Sequence, residues 1–228
     1  MAINNINISE ELYKTLRTEV LNGQYLPGER MPSERDIAKK FDVSRGVARE
    51  AYKKLQQLGL LNIESSGSRV ISIKECTLDC LGPLLDLKKI PDPNIMEEAL
   101  DIGYHLIDLA VPRAIDNNQK SLIKNIKALK KRNNINPREL FFVFAEASEH
   151  LVLLFITNGL KKELLGRLES AGYSPKYDQK VIISLLSSLE KAIEEKNTSK
   201  SIEILKGAFD FTRKQLRRNL NTLMDSRN

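Results

Sequence analysis

Apolar residues recur at helical spacing near the start of the chain. Leu12, Leu16 and Val20 share one face, and this i, i+4, i+8 pattern predicts a helix with a single buried side. Ser9 is a suitable N-cap for that helix, and the pair Asn22-Gly23 is a suitable stop. The first predicted element therefore begins at residue 9.

A second, shorter helix is predicted after a Pro-Gly turn at residues 27–28. Ser33 precedes Asp36 by three positions, an arrangement that approximates the capping box of a helix start. The apolar residues Ile37, Ala38 and Phe41 then give this helix its buried side.

Ser44 caps a third predicted helix, and Gly59 is its predicted stop. Its apolar positions fit the i, i+3, i+4, i+7 pattern of one buried face; they are Val47, Ala48, Ala51, Tyr52, Leu55 and Leu58. The opposite face carries Arg45, Arg49 and Lys53, so the helix is predicted to expose a row of cations.

After this helix the apolar period changes from about 3.6 to 2, which is the period of a β-strand. Residues 60–63 and 70–73 flank a small, flexible Ser-Ser-Gly-Ser run at 65–68, which predicts a two-stranded hairpin. Three helices followed by a hairpin are the order of a winged helix-turn-helix. We assign residues 1–74 to such a domain.

The remaining sequence has a helical pattern after a proline-containing stretch at 75–93, which we predict to be a linker. We assign residues 94–228 to an all-α bundle of six or seven helices; the convincing segments lie at 94–110, 119–132, 136–158, 160–168, 179–195 and 199–223. Pro112 is expected to end or kink the first segment, and Asn158-Gly159 to interrupt the third. The predicted fold class is mainly α.

Composition narrows the classes of function. The 228 residues are 41% hydrophobic and 29% charged, as in ordinary globular proteins. No apolar run reaches the ~18 residues of a membrane span, and no signal-peptide pattern opens the chain, so we expect a cytoplasmic protein without a membrane partner. No Ser/His/Asp set, phosphate loop or catalytic carboxylate pair is recognisable. We therefore expect no enzyme, no catalytic residues and no cofactor.

Cys76 and Cys80 are the two cysteines of the sequence. Their i, i+4 spacing without a neighbouring histidine does not make a zinc site. We interpret them as reduced thiols, with a redox-active pair as the alternative.

Positive charge is concentrated on the third predicted helix and the segment before it. The net charge is +6, and residues 35–54 hold seven basic against three acidic residues, which favours a polyanionic partner. Arginine donates two hydrogen bonds to guanine in the major groove. Gly46, between Arg45 and Arg49, costs a helix roughly 1 kcal/mol relative to alanine, which indicates close approach of a partner. Ser44 at the cap suits a phosphate, and the tip Ser66-Gly67-Ser68 is narrow enough for a minor groove.

These motifs resemble those of the GntR family of repressors. The sequence LPGERMPSERDIA at 26–38 is followed by VSR at 43–45 and REA at 49–51. The resemblance implies base and phosphate contacts by Arg35, Arg45 and Arg49, and a groove surface formed by Ser44, Gly46 and Val47. It identifies Gly67 as the wing glycine, between Ser66 and Ser68. Ser65 and Ser66 stand where the family often has a basic residue, which implies a weaker minor-groove contact.

The helical remainder is similar to the FadR-like branch of that family, in which this domain dimerises and binds an effector. Many members of that branch hold a metal with one Asp and three His. Here Pro137 stands in place of the Asp and Phe141 in place of a His, and the two histidines, His105 and His150, lie away from the later ligand positions. The resemblance therefore implies no metal site, and we interpret both histidines as structural.

The resemblance also supplies candidate effector contacts. Residues 155–161 look like the corresponding segment of acyl-CoA-binding members, and Gly207 takes the place of the pocket glycine; the candidates are Asn158, Gly207, Asp210 and Lys214. Asp210 and Lys214 replace the polar and aromatic residues expected there. The effector is thus open between a fatty acyl-CoA, another organic acid and no small ligand.

The function implied is that of a homodimeric regulator, a repressor or an activator, bound to a palindromic operator in double-stranded DNA. An effector would shift the spacing of the two reading heads. The alternative is a winged helix that binds a protein. In that case the face formed by Arg45, Arg49 and Lys53 meets an acidic partner, and DNA binding is weak and unspecific.

Overall fold

The computed structural model describes residues 2–88, 92–132, 135, 138–170 and 178–225. It divides into two compact units, Met1–Lys89 and Ile90–Asn228. The first is a winged helix-turn-helix and the second is all-helical, so the predicted fold class is confirmed. Across the described residues, no helix has both the length and the apolar character needed to cross a bilayer.

Three helices form the scaffold of the first unit: α1 (Ala2–Leu21), α2 (Glu34–Lys40) and α3 (Arg45–Gln57). Their apolar faces meet in one core, in which Leu16, Ile37 and Leu55 are fully buried. The predicted start of α1 at Ser9 is wrong, because Ser9 is buried on the same face as Leu16. It is an interior position of a helix that begins at Ala2, and neither glycine nor proline interrupts the residues between.

The wing consists of two antiparallel strands, β1 (Leu61–Glu64) and β2 (Gly67–Val70). The 28–31 segment runs along the other edge of β2. There the N–H of Gly28 donates to the carbonyl of Val70 at 2.8 Å, and the N–H of Met31 donates to that of Ser68 at 2.9 Å. These hydrogen bonds hold the wing against the turn that precedes α2.

The stretch predicted to be a linker, 75–93, is in part helical. Two 3₁₀ turns lead into a short helix; they are Ile73–Glu75, Leu78–Cys80 and α4 (Leu81–Leu85). The thiol of Cys80 donates to the carbonyl of Leu58 at 3.2 Å, and that of Cys76 donates to the carbonyl of Gly59 at 3.3 Å. Neither thiol forms a disulfide within the described residues. This stretch folds onto the end of α3 because Cys80 is buried in the core of the first unit.

The second unit has five long helices in its described part, fewer than the six or seven predicted: α5 (Pro93–Lys130), α6 (Arg138–Ala147), α7 (Leu151–Ser170), α8 (Gln179–Glu194) and α9 (Thr198–Asp225). They enclose one apolar core, in which Ile115, Phe144 and Leu186 are fully buried. The count is lower because α5 joins, across a kink at Asn118, the two helices that were predicted at 94–110 and 119–132.

Asn118, rather than Pro112, is the non-helical residue inside α5 (φ −139°, ψ 34°). Its side-chain amide donates to the carbonyl of Ala147 at 2.9 Å and to the carboxylate of Glu149 at 2.8 Å. The amide of Gln119 donates to a carbonyl near the end of α8 at 2.7 Å. The kink therefore lies where two helix ends dock onto α5 through side-chain hydrogen bonds.

The predicted helix over 136–158 is broken at Glu149 (φ 53°), and Asn158-Gly159 lies inside α7 instead of interrupting it. The break is stable because Nδ1 of His150 accepts the N–H of Leu153 at 3.3 Å, which caps α7. The predicted start of this segment, residues 136–137, lies outside the described residues.

Replacing Asn118 by alanine is expected to destabilise the second unit by about 1–2 kcal/mol, because two hydrogen bonds are lost and the Ala147 carbonyl loses a donor. Thermal denaturation followed by circular dichroism should show a melting temperature lower by roughly 2–4 °C per kcal/mol. Asn158→Ala, at an exposed position of α7, is the matched control and should leave it unchanged or slightly higher, since alanine favours a helix. Equal melting temperatures for the two variants would contradict the assigned role of the kink.

Candidate nucleic-acid interface

Two serine caps fix the starts of α2 and α3, as predicted. The Oγ of Ser33 accepts the N–H of Asp36 at 3.2 Å, and the Ser33 hydroxyl donates to the Asp36 carboxylate at 2.6 Å. The donated hydrogen bond holds the pKa of Asp36 below its usual range. The Oγ of Ser44 accepts the N–H of Val47 at 3.2 Å. Between the helices Asp42 adopts a left-handed conformation (φ 51°), which makes the tight turn.

The buried face of α3 is anchored by Tyr52, which is 1% exposed. Its hydroxyl donates to the carbonyl of Pro32 at 2.5 Å, and burial raises the pKa of Tyr52 above its usual range. Near the other end of α3, the Lys54 ammonium lies 2.6 Å from the Glu10 carboxylate. These contacts fix α3 to α1 and to the segment before α2, and so set the direction of its exposed face.

That exposed face carries Arg45 and Arg49, and Arg35 of α2 is also exposed. Among the described residues, no carboxylate forms an ion pair with any of these three arginines. Lys53 differs, since its ammonium lies 2.9 Å from the Glu50 carboxylate. The guanidinium groups are therefore available to an anionic partner, whereas the charge of Lys53 is partly satisfied within α3.

Gly46 lies in the first turn of α3, where packing does not require a glycine. A Cβ there would meet only the Oγ of Ser44, at 3.7 Å, which is an ordinary van der Waals contact. Since glycine costs a helix interior roughly 1 kcal/mol relative to alanine, the fold gives no reason for it. Its missing side chain leaves the backbone of α3 open between Arg45 and Arg49.

Two predicted interface residues lie inside the domain. Val47 is 7% exposed and belongs to the buried stripe of α3, because its position follows the same spacing as Ala51 and Leu55. Ser68 is 9% exposed, and its side chain points inward because residues alternate between faces along β2. Ser66, at the tip between the strands, is exposed.

One open groove of about 740 Å³ brings together several of the predicted residues. Arg35 and Arg45 line it from the two helices, and Gly67 and Ser68 line it from the wing. Arg49 lies one turn further along α3, outside the groove. The structure thus places two of the three arginines opposite the wing.

Arg30 is a candidate that the sequence did not single out. It lines the same groove, and no described carboxylate pairs with it. Gly67 has a φ of 123°, and a Cβ there would lie 2.7 Å from Nε of Arg30, so the guanidinium lies directly over the glycine. The feature of the sequence that could have indicated this role is the position of Arg30, shortly after the Pro-Gly turn at residues 27–28. The pairing of Arg30 with Arg69 along β2, which positions it, is a tertiary contact.

The four candidate effector residues do not converge on one site. Gly207 lines an open apolar groove between α8 and α9. Asn158 is exposed on α7, and Asp210 and Lys214 lie further along α9. These three line neither that groove nor the interior cavity of the bundle.

The interior cavity has a volume of about 50 Å³ and lies among α5, α6, α7 and α9. Its lining is apolar except for Lys161, whose ammonium lies 5.1 Å from the ring centre of Phe142. Among the described residues, no carboxylate pairs with Lys161. The ring of Phe209 closes one side, where a Cβ on Gly103 would lie 2.8 Å from its Cζ. The cavity thus combines apolar walls with one cation.

The histidines have structural surroundings. His150 caps α7, and His105 is exposed with its ring edge-on to Tyr104 at 5.5 Å between centres. Phe141 is buried in the core, and Pro137 lies outside the described residues. Within the described ranges, no three side chains of His, Cys, Asp or Glu lie together as metal ligands.

The match to a known protein family lies within the first unit of the chain. Residues 8–71 match the family described as bacterial regulatory proteins, gntR family. The HTH-type transcriptional regulator Mce2R of Mycobacterium tuberculosis is 29% identical over 118 residues, 51% of this chain and 49% of that protein. The fatty acid metabolism regulator protein of Pasteurella multocida is 29% identical over 150 residues, 62% of each chain. The chain therefore spans about half to three fifths of the length of these relatives.

A solved structure extends the likeness in fold beyond the first unit. Lar, which controls the expression of the Listeria monocytogenes agr system, superposes with a TM-score of 0.54 over 92% of this chain and 96% of its own. The identity is 14%, so this likeness concerns the fold alone. The match to the gntR family of bacterial regulatory proteins thus covers the winged helix-turn-helix, at residues 8–71.

Proposed function

We propose that this chain is a sequence-specific DNA-binding transcription regulator that reads the major groove with α3. The observation that carries the proposal is the exposed start of α3, where Arg45 and Arg49 have no carboxylate partner among the described residues and flank a glycine that packing does not require. A helix fits the major groove, and arginine is the side chain that most often reads guanine there.

Each residue of the surface has a distinct role in this proposal. Arg45 and Arg49 donate to bases or phosphates, and Ser44 at the helix start binds a phosphate through its backbone N–H. Arg35 and Arg30 bind the DNA backbone along the groove between α2 and the wing. Ser66 and Gly67 approach the minor groove. Val47 and Ser68 act from within the domain, by holding α3 and β2 in place.

Gly46→Ala tests the close approach of α3, because the two expected effects have opposite signs. The variant should be more stable by about 0.5–1 kcal/mol, since alanine favours the helix, and should bind specific DNA more weakly because the new methyl group stands between the backbone and the groove. Chemical denaturation and DNA titration measure the two effects. Unchanged or tighter DNA binding by the stabilised variant would sink the proposed position of α3.

We further propose that the chain acts as a homodimer on a palindromic operator. Two copies related by a two-fold axis present two α3 helices, which requires half-sites about one DNA turn, ~34 Å, or a multiple of it apart. Selection from a random duplex library with the full chain should therefore enrich a two-fold-symmetric motif. Enrichment of no motif would count against specific recognition and favour the alternative of a winged helix that binds an acidic protein.

The effector we propose is an organic acid with an apolar part, which includes the fatty acyl-CoA class. The interior cavity supports it, because Lys161 supplies one cation at an apolar wall. At about 50 Å³ the cavity holds little more than one or two water molecules, so a ligand must displace side chains such as Phe209. The name of the Pasteurella multocida relative is consistent with the fatty acyl class.

Fatty acids and their CoA thioesters, added at 100 times the dissociation constant, should stabilise the protein by about 2.7 kcal/mol. Melting curves of the wild type and of Lys161→Ala measure this gain, which the variant should lose. A wild type that none of these compounds stabilises would exclude this effector class.

A further inference from the structure

We infer that the second unit carries its own binding surface for the phosphate backbone of double-stranded DNA, on the exposed side of α5 after the kink at Asn118. This surface, the lysine face, is formed by Lys120, Lys124 and Lys131. The inference rests on the proposed function, because it adds backbone contacts to those that α3 makes in the same DNA-binding protein.

Positive charge is concentrated in the part of α5 that follows the kink. Residues 119–132 hold six basic residues and no acidic one, so this segment alone has a net charge of +6, which equals the net charge of all 228 residues. An ordinary solvent-exposed helix carries charges of both signs. The segment therefore depends on carboxylates of other elements, or on an anionic partner, to balance its charge.

Three of the six cations are balanced within the second unit. The ammonium groups of Lys127 and Lys130 lie 3.2 and 2.7 Å from the carboxylate of Glu190 on α8. The guanidinium of Arg132 lies 2.5 Å from the carboxylate of Glu139 on α6. These cations join α5 to its neighbouring helices, so their role is structural.

The lysine face has no such partners. Its three lysines are exposed, and among the described residues no carboxylate forms an ion pair with any of them. Asp116 lies one turn before Lys120 on the same helix, but the two side chains form no ion pair. The charge of the lysine face is therefore available to an anion from outside the described chain.

Helix geometry places the three lysines in one row, opposite the core. With 3.6 residues in each turn, their positions lie within about 40° of one another around the helix axis. The buried residues of the same part of α5, which are Leu122, Ile126 and Leu129, centre on the opposite side. The row extends about 16 Å along the axis. One extended anionic surface can therefore contact all three cations.

The helix dipole explains only one of these lysines. The negative end of a helix favours a cation in its last turn, which accounts for Lys131 at the C-cap of α5. Lys124 and Lys120 lie about two and three turns before that end, where the effect of the dipole has faded. The described contacts give these two cations no role in holding α5.

The chemistry of the lysine face fits a phosphate backbone better than an acidic protein. The uncharged exposed residues between the lysines are Ser121, Asn125 and Ala128, so the face has no large apolar side chain. The core of a protein–protein interface is apolar and poor in lysine, whereas contacts with the DNA backbone come from Lys and Arg together with Ser and Asn. One DNA strand presents about five phosphates along about 16 Å, so each ammonium can contact one.

The test measures how salt changes the affinity of the full chain for a scrambled duplex of about 60 base pairs, or about 200 Å, by fluorescence anisotropy. The variant with Lys120→Gln, Lys124→Gln and Lys131→Gln is the glutamine variant. Its slope of log affinity against log salt should be smaller by about 2.7, since each phosphate contact contributes about 0.9. The affinity advantage of the wild type over this variant should then fall about 40-fold between about 50 and about 200 mM salt.

Two further variants control for charge and for position. Arginine at the same three positions keeps the charge and should keep the wild-type slope. Glutamine in place of Lys180, Lys191 and Lys200, which are exposed on α8 and α9, removes the same charge elsewhere and should also keep it. Circular dichroism melting checks that all variants are folded. A wild-type slope in the glutamine variant overturns the inference, as does an equal loss of slope in either control.

The same titrations with the selected site, placed in a duplex of the same length, separate this inference from the proposed function. Backbone contacts carry no sequence information, so the glutamine variant should keep the wild-type ratio of affinities for the selected and the scrambled duplex. A wild type without preference for the selected duplex contradicts reading by α3. A wild-type slope in the glutamine variant, with that preference intact, contradicts the lysine face alone.

Discussion

Replacing Arg45 by alanine is expected to weaken binding to the selected DNA site by about 10- to 100-fold, which corresponds to the 1–3 kcal/mol of one bidentate base contact. Arg45 is exposed at the first turn of α3, and its guanidinium has no carboxylate partner among the described residues. Its loss therefore removes a contact with DNA without leaving a buried charge in the protein. Fluorescence anisotropy with the selected and a scrambled duplex measures the effect.

The matched control is Arg218→Ala, which removes the same charge from an exposed position of α9 and should leave specific binding unchanged. Arg49→Ala should also weaken specific binding. The melting temperatures of all three variants should match that of the wild type. Wild-type affinity in both Arg45→Ala and Arg49→Ala would refute the assignment of α3 as the recognition helix.

Replacing Leu55 by alanine is expected to destabilise the DNA-binding unit by about 2–5 kcal/mol, the range for a leucine removed from a packed core. Leu55 is 0% exposed on the inner face of α3, where it packs with the apolar residues of α1 and α2. Its truncation leaves a cavity beneath the helix that carries the arginines. Urea denaturation followed by circular dichroism measures the loss.

Leu58→Ala serves as the control, because Leu58 is a half-buried leucine at the end of the same helix. It should lose about 1 kcal/mol or less, since less apolar surface leaves water when the residue folds. Losses of equal size for the two variants would show that the core does not hold α3 as described.

Local chemistry allowed much of the first unit to be predicted. The caps at Ser33 and Ser44 are formed by side chains and backbone groups three residues apart, and the buried stripe of α3 follows from its own period. Likewise, the small Ser-Ser-Gly-Ser run marks the hairpin, although its second strand begins at Gly67, within that run, and not at residue 70 as predicted. In each case the residues that decide the structure are neighbours in the sequence, which is why their pattern was sufficient.

The wrong predictions concern helix breaks, whose positions depend on contacts with residues far away in the sequence. Asn118 interrupts α5 because its amide donates to the Ala147 carbonyl and the Glu149 carboxylate, some thirty positions away. Pro112 lies inside α5 without interrupting it. Glu149 breaks α6 from α7 with support from Asn118 and His150. None of these contacts has a local pattern, so the sequence instead favoured breaks at proline and at Asn158-Gly159.

The candidate site was predicted in part for the same reason. The positions of Arg35, Arg45 and Arg49 follow from helix periods and motifs. Arg30 was missed because the strand-like pairing of the 28–31 segment with β2 places it in the groove. The effector contacts were inferred from resemblance alone. In the structure, Asn158, Asp210 and Lys214 do not line one cavity.

The measurement that tests the central claim most directly is a fluorescence anisotropy titration of the full chain with the selected duplex and with a scrambled duplex, across a salt series. We predict affinity at least 10³-fold higher for the selected duplex, with both affinities falling as salt neutralises the phosphate contacts. Equal, weak and salt-sensitive binding to the two duplexes would contradict sequence-specific recognition by α3.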